Sequence, residues 1–201
     1  MADFDDKVKP ESVYRHINNA LTSQECQDIV DLWPTLEIEP AQVYNDRNPE
    51  HDDSRTRVGE IARYKFYDLP HFKKIIHHVQ HYNLTQNIIL NGNYEVQLAR
   101  YTPGSHFIKH QDTSVKMWSR LKPRDTRKIS LSIQLSDDKD YEGGDFQFFT
   151  HKDIKGSRAI NMSRKKGTMF LFPSYCEHQV TKVTKGERFS LVIWARGPYW
   201  V

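Results

Sequence analysis

From about residue 94 to the end of the chain, apolar and polar positions alternate over short stretches, the period of strands. The stretches are Tyr94–Tyr101, His106–Asp112, Lys128–Leu135, Asp145–Thr150, Arg158–Met162, Thr168–Phe172, Gln179–Val183 and Arg188–Ala195. Turn-forming residues break them at Pro103-Gly104, Asp137-Asp138, Gly143-Gly144, Gly156, Gly167, Pro173 and Gly186. Eight short strands at this spacing predict a jelly roll or barrel. Before residue 94 the period is helical. Leu21–Trp33 predicts a helix capped by Thr22 or Ser23 and ended by Pro34, with Cys26, Ile29, Val30 and Trp33 inward. Phe66–His81 predicts a second helix, burying Phe72, Ile75, Ile76 and Val79, and the polar stretch 44–57 predicts a loop. The expected fold is mainly β (α+β): one domain over 1–201, with helical support in 1–93 and a jelly-roll core in 94–201.

Composition narrows the class. At 201 residues and 23.8 kDa the chain suits one well-buried domain, and its 10 Tyr, 10 Phe and 4 Trp favour strands. A net charge of +3 is too mild to imply nucleic acid by itself. No apolar run approaches the roughly 20 residues of a membrane helix, and the polar, acidic start is unlike a signal peptide. Cys26 and Cys176 form no disulfide framework, so a soluble, cytoplasmic protein is expected.

Histidine spacing carries the chemistry. Three His-x-Asp pairs occur, at His51, His110 and His151. His51 lies in a charged loop and His151 beside two lysines at a strand end. His110 alone follows two strands joined by Pro-Gly, and a distant histidine, His178, opens a later strand after Phe170-Leu171-Phe172-Pro173. On an extended strand His110 and Asp112 share a face, and with His178 they compose the two-His-one-carboxylate set that suits Fe(II), with Mn or Ni not excluded by ligand type. The alternative is a plain salt-linked pair. His106 shares the parity of His110. His77 and His81 stand at i,i+4 on the second helix, a zinc-compatible spacing, but have no evident third ligand, so they are expected on a surface face. Along the last strand Arg188, Ser190, Val192 and Trp194 share one face and Phe189, Leu191 and Ile193 the other. A buried arginine calls for an anion, and its fork suits a carboxylate; Glu187 or Asp112 are the internal candidates.

The series Tyr101…His110-x-Asp112…His178…Arg188-x-Ser190 resembles the Fe(II)- and 2-oxoglutarate-dependent dioxygenases, in their prolyl 4-hydroxylase-like branch and its PKHD-type hydroxylases. The likeness runs over about 94–197 through GSHFIKHQD, LSIQLSDDKDYEGGDFQF and GTMFLFPSYCEHQVTKVTKGERFSLVIWARG. It implies a double-stranded β-helix with iron held by His110, Asp112 and His178. It further implies 2-oxoglutarate paired through its far carboxylate with Arg188, Ser190 and Tyr101, and consumption of O2 with release of succinate and CO2. Ascorbate is an accessory of that branch. A prolyl residue in a peptide or protein is the implied substrate, with Trp194 as a pocket wall, and Trp118 in the basic 113–128 connection and Arg57 in the earlier loop as further substrate contacts. Two other readings stand beside it: an oxygenase acting on a nucleic acid or small molecule, and a non-catalytic jelly-roll binding module. The asparagine that nucleic-acid demethylases carry just after the cosubstrate arginine is missing after Arg188.

Overall fold

The computed structural model describes residues 13–41, 56–113, 125–149 and 159–198. Two α-helices and fourteen strands make up the described chain. The helices are α1 (Ser23–Val30) and α2 (Phe72–Gln86). From the first half come β1 (Arg15–Ile17), β2 (Ile38–Pro40), β3 (Arg57–Val58) and β4 (Glu60–Tyr64). The second half supplies β5 (Tyr94–Tyr101), β6 (His106–His110), β7 (Thr126–Gln134), β8 (Tyr141–Gly143) and β9 (Phe146–Phe149). It continues with β10 (Ala159–Asn161), β11 (Met169–Pro173), β12 (His178–Val180), β13 (Val183–Gly186) and β14 (Arg188–Gly197).

A seven-stranded sheet in the order β1-β11-β7-β14-β5-β4-β2 faces a five-stranded sheet in the order β10-β9-β12-β6-β3, and β8 pairs with β13 in a small ribbon. All pairings are antiparallel, as a jelly roll requires. One apolar cluster lies between the large sheet and the helices, joining Leu98, Leu131, Ile133, Leu171, Leu191 and Ile193 to Ile29, Ile75 and Val79. A second, aromatic cluster fills the space between the sheets around Tyr101, Phe146, Phe148, Phe170, Phe172 and Val180. The alternation expected along β14 is realised: Leu191 and Ile193 pack on the helix side while Arg188, Ser190, Val192 and Trp194 line a cavity between the sheets.

Several local expectations are corrected. Residues 1–93 are not helices and loops alone, because β1–β4 complete the edges of both sheets. These strands are two to five residues long, too short for period 2 to show. Arg57, assigned to a loop, therefore sits in β3, paired with Phe107. The second helix starts at Phe72 rather than Phe66; Pro70 holds Leu69 extended, and Phe66–Asp68 forms only a 3-10 turn. The first helix stops at Val30, and Trp33–Thr35 is a separate 3-10 turn containing Pro34. Of the two cap candidates Thr22 is the cap: the Glu25 N–H donates to its Oγ1 at 3.2 Å, and its own N–H donates to Glu25 Oε2 at 2.7 Å. β6 ends at His110, two residues short of expectation.

Candidate active site

His110 and His178 stand directly opposite each other across β6 and β12, the last residue of one strand against the first of the other. Between Phe107 and His110 the register shifts, so two residues of β6, Ile108 and Lys109, oppose the single Gln179 of β12. This bulge breaks the alternation. Phe107 and His110, three apart, stack with ring centroids 3.4 Å apart and planes 14° apart. His106, which alternation alone places beside His110, instead turns back to the Gly104 carbonyl at 3.1 Å.

Asp112 follows β6 in a turn whose N–H groups at Asp112 and Thr113 donate to the Ser174 carbonyl at 3.0 and 3.1 Å. Its Oδ1 lies 3.6 Å from His110 Nε2 and its Oδ2 3.5 Å from His178 Nε2. The three donor atoms fall within 4.8 Å of one another, a span that one metal ion can bridge. Their hydrogen bonds point the same way. His110 Nδ1 lies 2.8 Å from the Ile108 carbonyl and His178 Nδ1 3.0 Å from the Cys176 carbonyl. A carbonyl oxygen only accepts, so Nδ1 carries the proton and the Nε2 lone pairs face the centre. Ser130 Oγ donates to Asp112 Oδ2 at 2.6 Å and is 2.9 Å from Ser174 Oγ. Burial by itself raises the Asp112 pKa, but the charge of His178, the hydrogen bond and charge of His110, and Arg127 outweigh it and hold the carboxyl well below the usual range. Burial pushes the His178 imidazole down to about 4 against the pull of Asp112. An ionised carboxylate beside a neutral imidazole is the state in which these groups bind a divalent metal.

These residues open onto a cavity of about 430 Å³ between the sheets, with Arg188 lining it together with His110, Asp112 and His178. Arg188 is 2 % exposed, yet no carboxylate among the described residues pairs with it. Glu187, a candidate partner, is taken by Arg100 at 2.6 Å, and the charges acting on Asp112 are those of His178, His110 and Arg127. Arg188 Nη1 donates to Ser190 Oγ at 3.3 Å, its guanidinium carbon lies 5.3 Å from the Tyr101 ring centre, and its Nε has no acceptor. β14 sets Arg188 directly opposite Tyr101 on β5, so the three sequence-predicted cosubstrate residues meet. Space for the guanidinium depends on Gly144, at φ +63°, where a Cβ would stand 2.8 Å from Val183 Cγ2 and 3.2 Å from Arg188 Cδ. Trp194 also lines the cavity, under the Arg127 guanidinium carbon, which lies 3.7 Å from its ring centre.

A sequence profile of the 2OG-Fe(II) oxygenase superfamily matches residues 96–196, half of the chain, and that span contains His110, Asp112, His178 and Arg188. The chain belongs to this superfamily. Among relatives of this oxygenase, a PKHD-type hydroxylase of Cupriavidus pinatubonensis is 33% identical over 105 residues, 50% of this chain and 42% of that one. A PKHD-type hydroxylase of Acinetobacter baylyi is 22% identical over 191 residues, covering 90% of this chain and 77% of its own. The chain thus spans less than half the length of the Cupriavidus relative in that alignment. Two solved structures share the oxygenase fold. A Pseudomonas putida prolyl-4-hydroxylase superposes with TM-score 0.69 at 18% identity, over 94% of this chain and 95% of that one. A Trichoplax adhaerens prolyl hydroxylase in complex with a hypoxia inducible factor peptide fragment gives TM-score 0.69 at 19% identity, over 92% and 84%.

Of the expected substrate contacts, Trp194 and Arg57 line the cavity, whereas Trp118, and most of the 113–128 connection, lie outside the described residues. So do the His51 and His151 pairs. His77 is exposed and His78 is buried against the core of α2, apart from the cavity. Four contributors escaped the sequence reading: Ser130, Ser174, Gln97 and Phe107. Gln97 shares parity with Tyr101 along β5, and Ser130, Ser132 and Gln134 alternate with Leu131 and Ile133 in β7, signals that such a pattern holds a polar lining. Ser174 and Phe107 carry none, since a turn and a bulge place them.

Proposed function

We propose that this chain is a single-domain Fe(II)- and 2-oxoglutarate-dependent hydroxylase acting on a prolyl residue of a peptide or protein. The observation that carries the reading is one cavity holding three converging metal-type donors and a buried arginine that has no carboxylate partner among the described residues. The donor set fits the metal: both imidazoles turn Nε2 to the centre, Asp112 is ionised, and three protein donors would leave positions for cosubstrate and oxygen. When bound, iron and 2-oxoglutarate supply the oxidation of a C–H bond by O2, with release of succinate and CO2.

His110, Asp112 and His178 hold the metal, and Ser130 fixes the carboxylate that bridges the two imidazoles. Arg188 takes the far carboxylate of 2-oxoglutarate, and its free Nε and the Ser190 and Tyr101 hydroxyls complete that end. The surrounding rings, Phe107, Phe146 and Phe172, keep water from the reacting centre and strengthen each charge interaction within it. Trp194 gives the substrate a flat apolar wall, and ascorbate serves as the accessory reductant. Likeness to PKHD-type and prolyl hydroxylases favours the prolyl substrate over a nucleic acid or small molecule, and the intact donor set disfavours a binding module.

The test is a thermal shift with anaerobic Fe(II) and then 2-oxoglutarate, alongside succinate formation under air. Each ligand at about 100 times its Kd adds about 2.7 kcal/mol to the native state, which for a chain of this size raises Tm by roughly 5–10 °C. His110→Ala loses both increments. Arg188→Ala keeps the metal increment and loses that of 2-oxoglutarate. A wild-type protein that shows neither increment sinks the reading and promotes the binding module.

A further inference from the structure

We propose that the primary substrate is anionic, presenting a carboxylate near the carbon that is oxidised, and that Arg57 receives it. The proposal rests on the oxygenase reading above and goes beyond it in naming the substrate's charge.

Arg57 is 8 % exposed and lines the cavity that contains His110. Its strand, β3, is only two residues long and pairs with β6, placing Arg57 opposite Phe107. The guanidinium carbon lies 4.6 Å from the Phe107 ring centre, and that ring lies flat against His110. One aromatic ring thus separates the charge from a metal ligand. Its hydrogen bonding is incomplete: Nη2 donates to Gln97 Oε1 at 3.1 Å, and Nε, buried, has no acceptor.

Other arginines in the described chain show what a satisfied partner looks like. Arg63 pairs with Glu39, Arg100 with Glu60 and Glu187, Arg127 with Glu95, Arg164 with Asp145, and Arg196 with Glu95 and Asp125. The two that line the cavity, Arg57 and Arg188, have no carboxylate among the described residues. Nor does Arg57 serve as counter-ion to Asp112, whose cationic neighbours are the two histidines and Arg127.

Charge counting then assigns the vacancy. Arg57 and Arg188 bring two positive charges to the cavity and Asp112 one negative charge, Arg127 being balanced by Glu95, while a bound divalent ion would be offset by a dianionic cosubstrate. Among the described residues one positive charge is then left in a desolvated site, and with Arg188 committed to 2-oxoglutarate it belongs to Arg57. Leaving it unpaired is costly, and a carboxylate meets the planar fork best. The Trp194 Nε1 is a further buried donor without an acceptor on the same cavity.

Calorimetric titration of the anaerobic, Fe(II)- and 2-oxoglutarate-loaded protein tests this with two acid–amide pairs: N-acetyl prolyl-glutamate amide against its glutamine counterpart, and L-proline against L-prolinamide. The first pair probes an acidic side chain beside proline, the second a carboxylate on the ring itself. The expected result is that the acid of at least one pair binds roughly tenfold or more tighter than its amide. Arg57→Gln abolishes that preference and Arg57→Lys restores part of it. Equal affinities, binding of neither member, or a preference that survives Arg57→Gln overturns the proposal. The wild-type comparison stands even if a variant fails to fold. Failure of the oxygenase reading shows separately, as absence of heat on adding 2-oxoglutarate.

Discussion

Asp112 has both carboxylate oxygens engaged, since Oδ1 faces His110, Oδ2 faces His178, and Ser130 Oγ donates to Oδ2 at 2.6 Å. Ser130 touches no reacting atom, so its contribution is orientation. Removing such an outer hydroxyl costs metal sites roughly 10–100-fold in affinity. Ser130→Ala is therefore expected to weaken Fe(II) binding by about that factor in an anaerobic titration, with 2-oxoglutarate affinity at saturating metal unchanged; unaltered metal affinity contradicts the positioning role. The metal-type donors were legible in sequence because each has strong chemistry and lies at or just beyond a strand end. Ser130 was not: its alternation with Ile129 and Leu131 marks a polar face but does not say which residue lies across the sheet. Arg57 was visible only as a charge in a polar stretch; its strand is too short to read.

At the scale of elements, the long strands and most short ones after residue 94 announced themselves, whereas β1–β4 and β8 did not. β5 runs over Tyr94–Tyr101 as its alternation predicts, and β14 places every predicted face, since eight to ten residues suffice to establish a period. The β6 bulge was invisible, for an inserted residue changes spacing without changing composition. The Gly143-Gly144 turn was read correctly as a break, but its closeness to Arg188 was not. Both glycines have positive φ, and Gly144 leaves no room for a side chain beside the arginine stem. Gly144→Ala is expected to cost about 1–3 kcal/mol of stability from backbone strain and to raise the KM for 2-oxoglutarate, since Arg188 must shift. Denaturant unfolding and succinate assays check both, and an unchanged KM removes the link to Arg188.

Over the whole molecule, the aromatic core between the sheets and the aliphatic core beneath the helices divide the labour: the first surrounds the site, the second holds the scaffold. The scaffold core carries one titratable liability. His78 on α2 is 5 % exposed, and burial, aided by the charges of His77, Lys74, Arg15 and His81, lowers its pKa from 6.5 to about 4. The unfolded chain takes up the proton near 6.5 and the native one does not until about 4. Stability is therefore intact above pH 6.5, falls as pH drops towards 4, and loses about 2 kcal/mol between pH 7 and pH 5 from this group. His78→Gln is expected to flatten that slope in urea unfolding, and an unchanged slope refutes the assignment. The two metal-type histidines differ from His78 in one respect that reaches further. Each gives its Nδ1 proton to a main-chain carbonyl two residues earlier, at Ile108 and Cys176, rather than to a side chain. The tautomer is consequently inherited with the backbone path, and neighbouring side chains are free to drift without disturbing it. Mutational tolerance at this site should thus be wider at Ile108 and Cys176, whose main-chain carbonyls orient the imidazoles, than at Ser130, whose side chain is itself the contact.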